Sequence, residues 1–183
     1  MADAALHLRL KALIAFRALF VSLLLGSAFI FKIDFFPNPR ALSFLIVSLY
    51  VLTIIYVLLI QRTKRVVLFA YSQLILDVLA EIALIYITGG IESWFSFTLI
   101  LTVLSSSIVL NQRAGYIIAS MSCILYGTLL DLQFYGLIPI PYEGTMLEKQ
   151  FLYNIFIHTI SLYVTAYLAG YLSSRLEETA EKL

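Results

Sequence analysis

The chain has 183 residues, of which 62% are hydrophobic and 13% charged, and its net charge is +1. A soluble domain is about half apolar and roughly a quarter charged, so this composition, with a mean hydropathy of +0.97, excludes an ordinary soluble domain and points to an all-α, polytopic membrane protein. The near-neutral charge argues against a nucleic-acid partner, and the single cysteine, Cys123, excludes an intrachain disulfide.

A membrane-crossing helix needs about 20 mostly apolar residues at ~1.5 Å each. Six stretches meet that requirement, at roughly 12–33, 41–60, 66–88, 93–111, 114–136 and 150–173. The sequence therefore predicts a six-span membrane domain over residues 1–173 with short loops, and the start of a cytoplasmic signalling helix over 174–183. In the first stretch, Arg9 and Lys11 precede the apolar run, and Gly26-Ser27-Ala28 weakly resembles a signal-cleavage site. The run continues through Phe29-Ile30-Phe31, longer than the ~7–15 residues of a signal core, so an uncleaved span is expected. Arg17, near the inner end of that span, is expected to snorkel to the cytoplasmic face.

The third stretch carries Asp77 and Glu81, four residues apart and so on one helix face. A carboxylate at the bilayer centre costs about 2.5–3.5 kcal/mol on the insertion scale, so the pair must face other helices, find partners or stay protonated. Thr88-Gly89-Gly90 then ends the helix, because glycine accepts a positive φ without a Cβ clash. Trp94 and Phe95 follow at the level of a membrane interface, where aromatic rings prefer to sit. Ser105-Ser106-Ser107 in the fourth stretch read as packing residues whose hydroxyls bond carbonyls one turn back. The fifth stretch has small residues spaced by four, at Gly115, Ala119, Cys123 and Gly127, a face that lets another helix approach closely. The sixth does not stop at the membrane. Its seam of Leu162, Thr165, Ala169, Leu172, Leu176, Thr179 and Leu183 keeps heptad steps of three and four and runs into charged residues that favour helix.

Lysine and arginine set the orientation. With the N-terminus in the cytoplasm, the inside holds Arg9, Lys11, Arg62, Lys64, Arg65, Arg113, Arg175 and Lys182, and the outside only Lys32, Arg40 and Lys149. Both termini are expected inside. The outer loops are short, so any stimulus must reach the protein within the bilayer, at its surfaces or through a partner's membrane segment. Depth counting at ~1.5 Å per residue puts Glu81, His158 and Asp131 about 7–12 Å below the outer face, with Asn154 one turn above His158 and Asp77 one turn below Glu81. The expectation is a polar cluster of Asp77, Glu81, Asp131, Asn154 and His158, including a Glu–His contact that would act as a proton-linked switch; the bland alternative is a satisfied cluster that only fixes helix register. No zinc-binding H-E-x-x-H, G-x-S-x-G elbow or Gly-rich phosphate loop is present, so no catalytic or metal site is expected.

Several of these segments resemble the N-terminal membrane region of PilS-type sensor histidine kinases. The resemblance covers nearly the whole chain. It rests on Arg9-Leu10-Lys11 with Arg17, and on Leu76-Asp77 leading to Ile87-Thr88-Gly89-Gly90-Ile91-Glu92-Ser93 and Phe95-Ser96-Phe97. It also rests on Leu125-Tyr126-Gly127 with Leu130-Asp131 and Tyr135-Gly136, and on the exit Tyr171-Leu172-Ser173-Ser174-Arg175-Leu176. The resemblance implies the input module of a bacterial inner-membrane kinase that is a homodimer and signals to a response regulator, commonly for pilus genes, with pilin as a membrane-embedded partner. It implies ATP and Mg²⁺ only in kinase domains, since no phosphoacceptor histidine motif or ATP-binding box lies in these residues and none of them forms a catalytic site. The rival readings are a small transporter or channel subunit and a passive membrane anchor.

Overall fold

A computed structural model describes residues 2–30, 38–60, 62–63, 65–139 and 148–181, with the side chains of 2–7, 27–30, 177–178 and 180–181 left aside. All regular structure among them is helical: α1 (Ala2–Ile30), α2 (Pro39–Ile60), α3 (Val66–Ile87), α4 (Thr98–Val109), α5 (Gln112–Phe134) and α6 (Glu148–Glu181). Two 3₁₀ turns, Gly90–Glu92 and Trp94–Phe97, join α3 to α4. Helices α2, α3, α5 and α6 (as far as Leu176) are long and apolar enough to cross a membrane. The residues Lys32, Pro37, Lys64, Lys182, Leu183 and most of the loop expected over 137–149 fall outside the described set.

Local chemistry explains the boundaries. Asn38 caps α2, its Oδ1 accepting from Ala41 N at 3.3 Å, and Pro39 fills the first helical position, where a missing N–H costs nothing. Asn111 caps α5 in the same way, accepting from Ala114 N at 2.9 Å. The expected fourth span, a continuous helix over 93–111, is only partly α-helical. Ser93 Oγ accepts from Phe95 N at 3.2 Å and Thr98 Oγ1 donates to Phe95 O at 2.7 Å, which winds the first turn tightly as 3₁₀ helix. Because a 3₁₀ residue rises ~2.0 Å against ~1.5 Å in an α-helix, the stretch Trp94–Val109 still reaches about 26 Å.

The turn before it depends on its glycines. Gly89 and Gly90 have φ of 132° and 63°. Thr88 Oγ1 donates to Leu84 O at 2.6 Å and accepts from Ser93 Oγ, also at 2.6 Å, tying the end of α3 to the start of the next turn. A Cβ on Gly90 would run into the side-chain amide of Gln133 on α5. Gly90→Ala is therefore expected to lose at least about 1–2 kcal/mol from backbone strain alone, read as a fall in the thermal midpoint of the detergent-solubilised protein, while an unchanged midpoint would mean that Gly90 does not hold its positive φ.

Packing follows a period of three and four on every helix with a buried stripe. On α3 the stripe is Val66, Ala70, Gln73, Leu74, Val78, Leu84 and Ile85; on α5 it includes Ala114, Gly115, Ile118, Ala119, Ser122, Tyr126, Leu129 and Leu130. Helices α4, α5 and α6 pack on one another most extensively, and α1, α2 and α3 form a second group that meets them through α3–α5, α3–α4 and α1–α4 contacts. Two apolar clusters result. The larger contains Leu10, Leu13, Ile14, Tyr56, Leu74, Val103, Ile118 and Leu162; the smaller contains Val21, Leu24, Leu42, Ile46, Leu49 and Leu84. The remaining large apolar side chains point outward, including Phe44, Leu58, Leu68, Ile124 and Phe156, as expected where the solvent is lipid tail rather than water.

Candidate functional site

Between the two apolar clusters lies a polar layer. On α1 the inward face reads Leu10, Leu13, Ile14, Arg17, Val21 and Leu24, all buried. Arg17 thus occupies a core position between apolar neighbours, and only 7% of its side chain is exposed. Its guanidinium forms an ion pair with the Asp77 carboxylate through Nη2 and Oδ2, and Nη2 also points at the backbone oxygen of Gln73 at 3.5 Å. Its Cζ sits 4.4 Å from the centre of the Tyr56 ring on α2, a cation–π contact that gains strength where water is scarce. One side chain of α1 therefore engages both α2 and α3. The expected snorkelling of Arg17 does not occur, because a carboxylate at the right depth offers it a partner that the interface would otherwise supply.

Glu81 lies one turn farther along α3. Its Oε1 accepts from Thr102 Oγ1 of α4 at 2.5 Å, while Oε2 is buried without a hydrogen-bond partner within the chain. Arg17 Nε and Nη1 are likewise buried and unpartnered. Asp77 is 11 residues from the first residue of α3 and 10 from the last, so at ~1.5 Å per residue it is about 15 Å from either end of the helix. The layer is thus at mid-helix, the depth where an ionic group is most costly to leave alone.

The other sequence-predicted residues do not join this layer. His158 and Asn154 are on α6, against α5. The His158 ring lies 4.6 Å from that of Tyr126, tilted by 39°, and its Nδ1 is 2.9 Å from the Asn154 carbonyl oxygen. A carbonyl only accepts, so Nδ1 carries the proton in that bond. Asn154 Nδ2 donates to Gln150 O at 3.4 Å. Asp131 is exposed near the outer end of α5. With Glu81 Oε1 bound to Thr102 and Oε2 unpartnered, the expected Glu–His contact is not made, because Glu81 faces α4 while His158 stacks on Tyr126 of α5. The five residues expected to converge therefore separate into a half-buried carboxylate pair at α1–α3–α4, His158 stacked on Tyr126 at α5–α6 with Asn154 one turn away, and the exposed Asp131.

The small-residue stripe also divides. Gly115 faces Ser107 of α4 so closely that a Cβ would strike its Oγ, whereas a Cβ on Gly127 would meet nothing within 4 Å. Ala119 is fully buried and Cys123 half-buried. The serine run behaves as expected: Ser106 and Ser107 bond Val103 O at 2.7 and 3.2 Å. On α6, Leu162 and Ala169 are buried inside the bundle and Thr165 is half-buried, while Leu172 and Leu176 are 59% and 63% exposed. The seam is therefore spent on internal packing over its first half and open over its second; Thr179 is exposed and Leu183 lies outside the described residues.

These features coincide with a family assignment. A family model described as a PilS-like transmembrane domain matches residues 4–183. The chain belongs to the PilS-like transmembrane domain family. The match takes in all six helices, so the buried ion pair, the Thr-Gly-Gly turn and the exit of α6 all lie inside the PilS-like domain. No curated protein and no solved structure matches the chain. Sequence reasoning had missed Arg17, Thr102 and the buried glutamines Gln73 and Gln133 as parts of the PilS-like core. The signal for Arg17 was present in its spacing from Leu10, Leu13, Val21 and Leu24.

Proposed function

We propose that this PilS-like domain is the membrane input module of a two-component sensor histidine kinase. It detects a signal in or at the inner membrane and passes it through α6 to control autophosphorylation and phosphotransfer to a response regulator, with pilus genes as the regulated set and pilin as the membrane-embedded stimulus. Such a kinase is a homodimer with both ends of this domain in the cytoplasm and six spans between them, and ATP and Mg²⁺ act in its catalytic domains. The observation that carries this reading is the family match over residues 4–183. The course of α6 supports it. Gly170 packs against Gln112 at the start of α5, and α6 then runs on to Glu181, about 16 Å farther at ~1.5 Å per residue.

Signal transfer requires two states of α6 that differ in tilt, rotation or displacement. Helix α4 is the element placed to link the polar layer to α6, since it holds Glu81 through Thr102 on one side and packs on α5 and α6 on the other. The test uses the kinase with its catalytic domains present. Glu81→Gln and His158→Ala are each expected to alter signal-dependent autophosphorylation by at least a few-fold while the protein still inserts. If both variants respond like the parent, these residues do not bias the signalling equilibrium.

A further inference from the structure

A cavity of about 50 Å³ lies beside the ion pair, lined by Arg17, Asp77, Glu81 and Thr102 and by Phe16 and Phe20. Two of its lining residues carry unmet hydrogen-bonding capacity: Arg17 at Nε and Nη1, and Glu81 at Oε2. Arg17 is more than nine-tenths buried, so bulk water cannot satisfy it, and an unmet buried polar group costs about 1–3 kcal/mol. Next to this cavity, and sharing Phe16, Phe20 and Leu101 with it, is a larger hollow of about 370 Å³ between α1 and the start of α4. Its wall is almost entirely apolar and carries four phenylalanines, Phe16, Phe20, Phe95 and Phe97.

We propose that the α1–α4 groove binds a membrane-soluble quinone or its quinol, with one ring oxygen in the Arg17–Glu81 cavity and the ring and tail along the phenylalanines. Three observations select this chemistry. The cavity beside the ion pair has room for about one or two water-sized groups, which suits a single ring oxygen and not an ionic headgroup. Its depth, near the middle of α3, is beyond the reach of phospholipid headgroups held at the interface, but it is where uncharged isoprenoid molecules reside. The aromatic wall suits a flat ring, which gains offset or edge-on contacts with phenyl groups. A ring oxygen of either form accepts from Arg17, and Glu81 Oε2 meets it as donor when the carboxyl is protonated or as acceptor from a quinol hydroxyl when it is ionised. Binding does not depend on the kinase reading, since every group involved is in this chain.

The test uses the 183-residue chain in phosphatidylcholine nanodiscs, titrated with decylubiquinone and decylubiquinol. Trp94, the only tryptophan, adjoins Phe95 and reports quenching by a bound ring. Saturable quenching by both forms is expected, with binding at least about 5-fold weaker in Glu81→Leu. In the unaltered protein, a photoactivatable azidoquinone is expected to label residues 16–24 and 95–101. Quenching that rises linearly, as for a tryptophan octyl ester in the same discs, would overturn the proposal. So would Glu81→Leu binding as tightly as the parent, or azidoquinone adducts spread over the outward faces of α2 and α6.

Discussion

Asp77→Ala is expected to destabilise the bundle by about 3–5 kcal/mol, the cost of leaving a buried charge without its partner. Leu13, Ile14, Val21 and Leu24 flank Arg17 on the buried face of α1 and Tyr56 lies under its guanidinium, so the only other carboxylate lining its cavity is Glu81, which Thr102 holds toward α4. Arg17→Met alone is expected to cost a comparable amount by stranding Asp77. The double variant Arg17→Met/Asp77→Leu is expected to recover most of the loss, since an apolar pair of similar volume replaces an ion pair at little or no cost. Unfolding in mixed micelles with increasing dodecyl sulfate measures all three. A strongly non-additive cycle places the pair inside the bundle, whereas additive single effects would mean the two residues act independently.

The second large effect is expected at Gly170. A Cβ there would collide with the Cβ and Cγ of Gln112 and crowd its Cα, so a rotation of the glutamine tip cannot relieve the contact and α6 must move away from α5. Overpacking of this kind costs about 1–3 kcal/mol. Gly170→Ala is expected to fall in that range and Gly170→Leu to exceed it. Gly127→Ala, in open space, is expected to be neutral or slightly stabilising. Equal midpoints for Gly170→Ala and Gly127→Ala would refute close packing of α6 on α5. If the domain is the kinase input module proposed above, Gly170 variants are also expected to shift basal autophosphorylation, because this contact lies just before the exposed part of α6.

The helices themselves were legible in the sequence because each is an apolar run bounded by a capping or turn residue, such as Asn38-Pro39, Thr88-Gly89-Gly90 and Asn111. The start of α4 was not, since nothing in an apolar run separates 3₁₀ from α-helix until the Ser93 and Thr98 hydroxyls are seen to bond their neighbours. Asp77 and Glu81 were recognisable as groups needing partners, but the partners were not. Depth counting assumed that the first span began near residue 12, which left Arg17 one turn inside the membrane and within snorkelling distance. The helix begins at Ala2, and the periodic burial of α1 carries Arg17 into the core. His158 failed differently. Its counted depth is close to that of Glu81, but depth does not say which helices are neighbours, and Glu81 faces Thr102 of α4 while His158 stacks on Tyr126 of α5. The heptad spacing of α6 suggests one continuous face; its first half instead packs on α4 and α5, where Gly170 of α6 closes on Gln112, and only its second half is exposed.

The account depends on α6 leaving the membrane on the same side as the α2–α3 connection. Single cysteines placed at Arg62, Thr179 and Leu137 in a Cys123→Ser background, treated with a membrane-impermeant maleimide in whole cells, test that directly. The predicted result is labelling at position 137 in intact cells, and labelling at 62 and 179 only after permeabilisation. Positions 62 and 179 reacting from opposite sides would contradict the account.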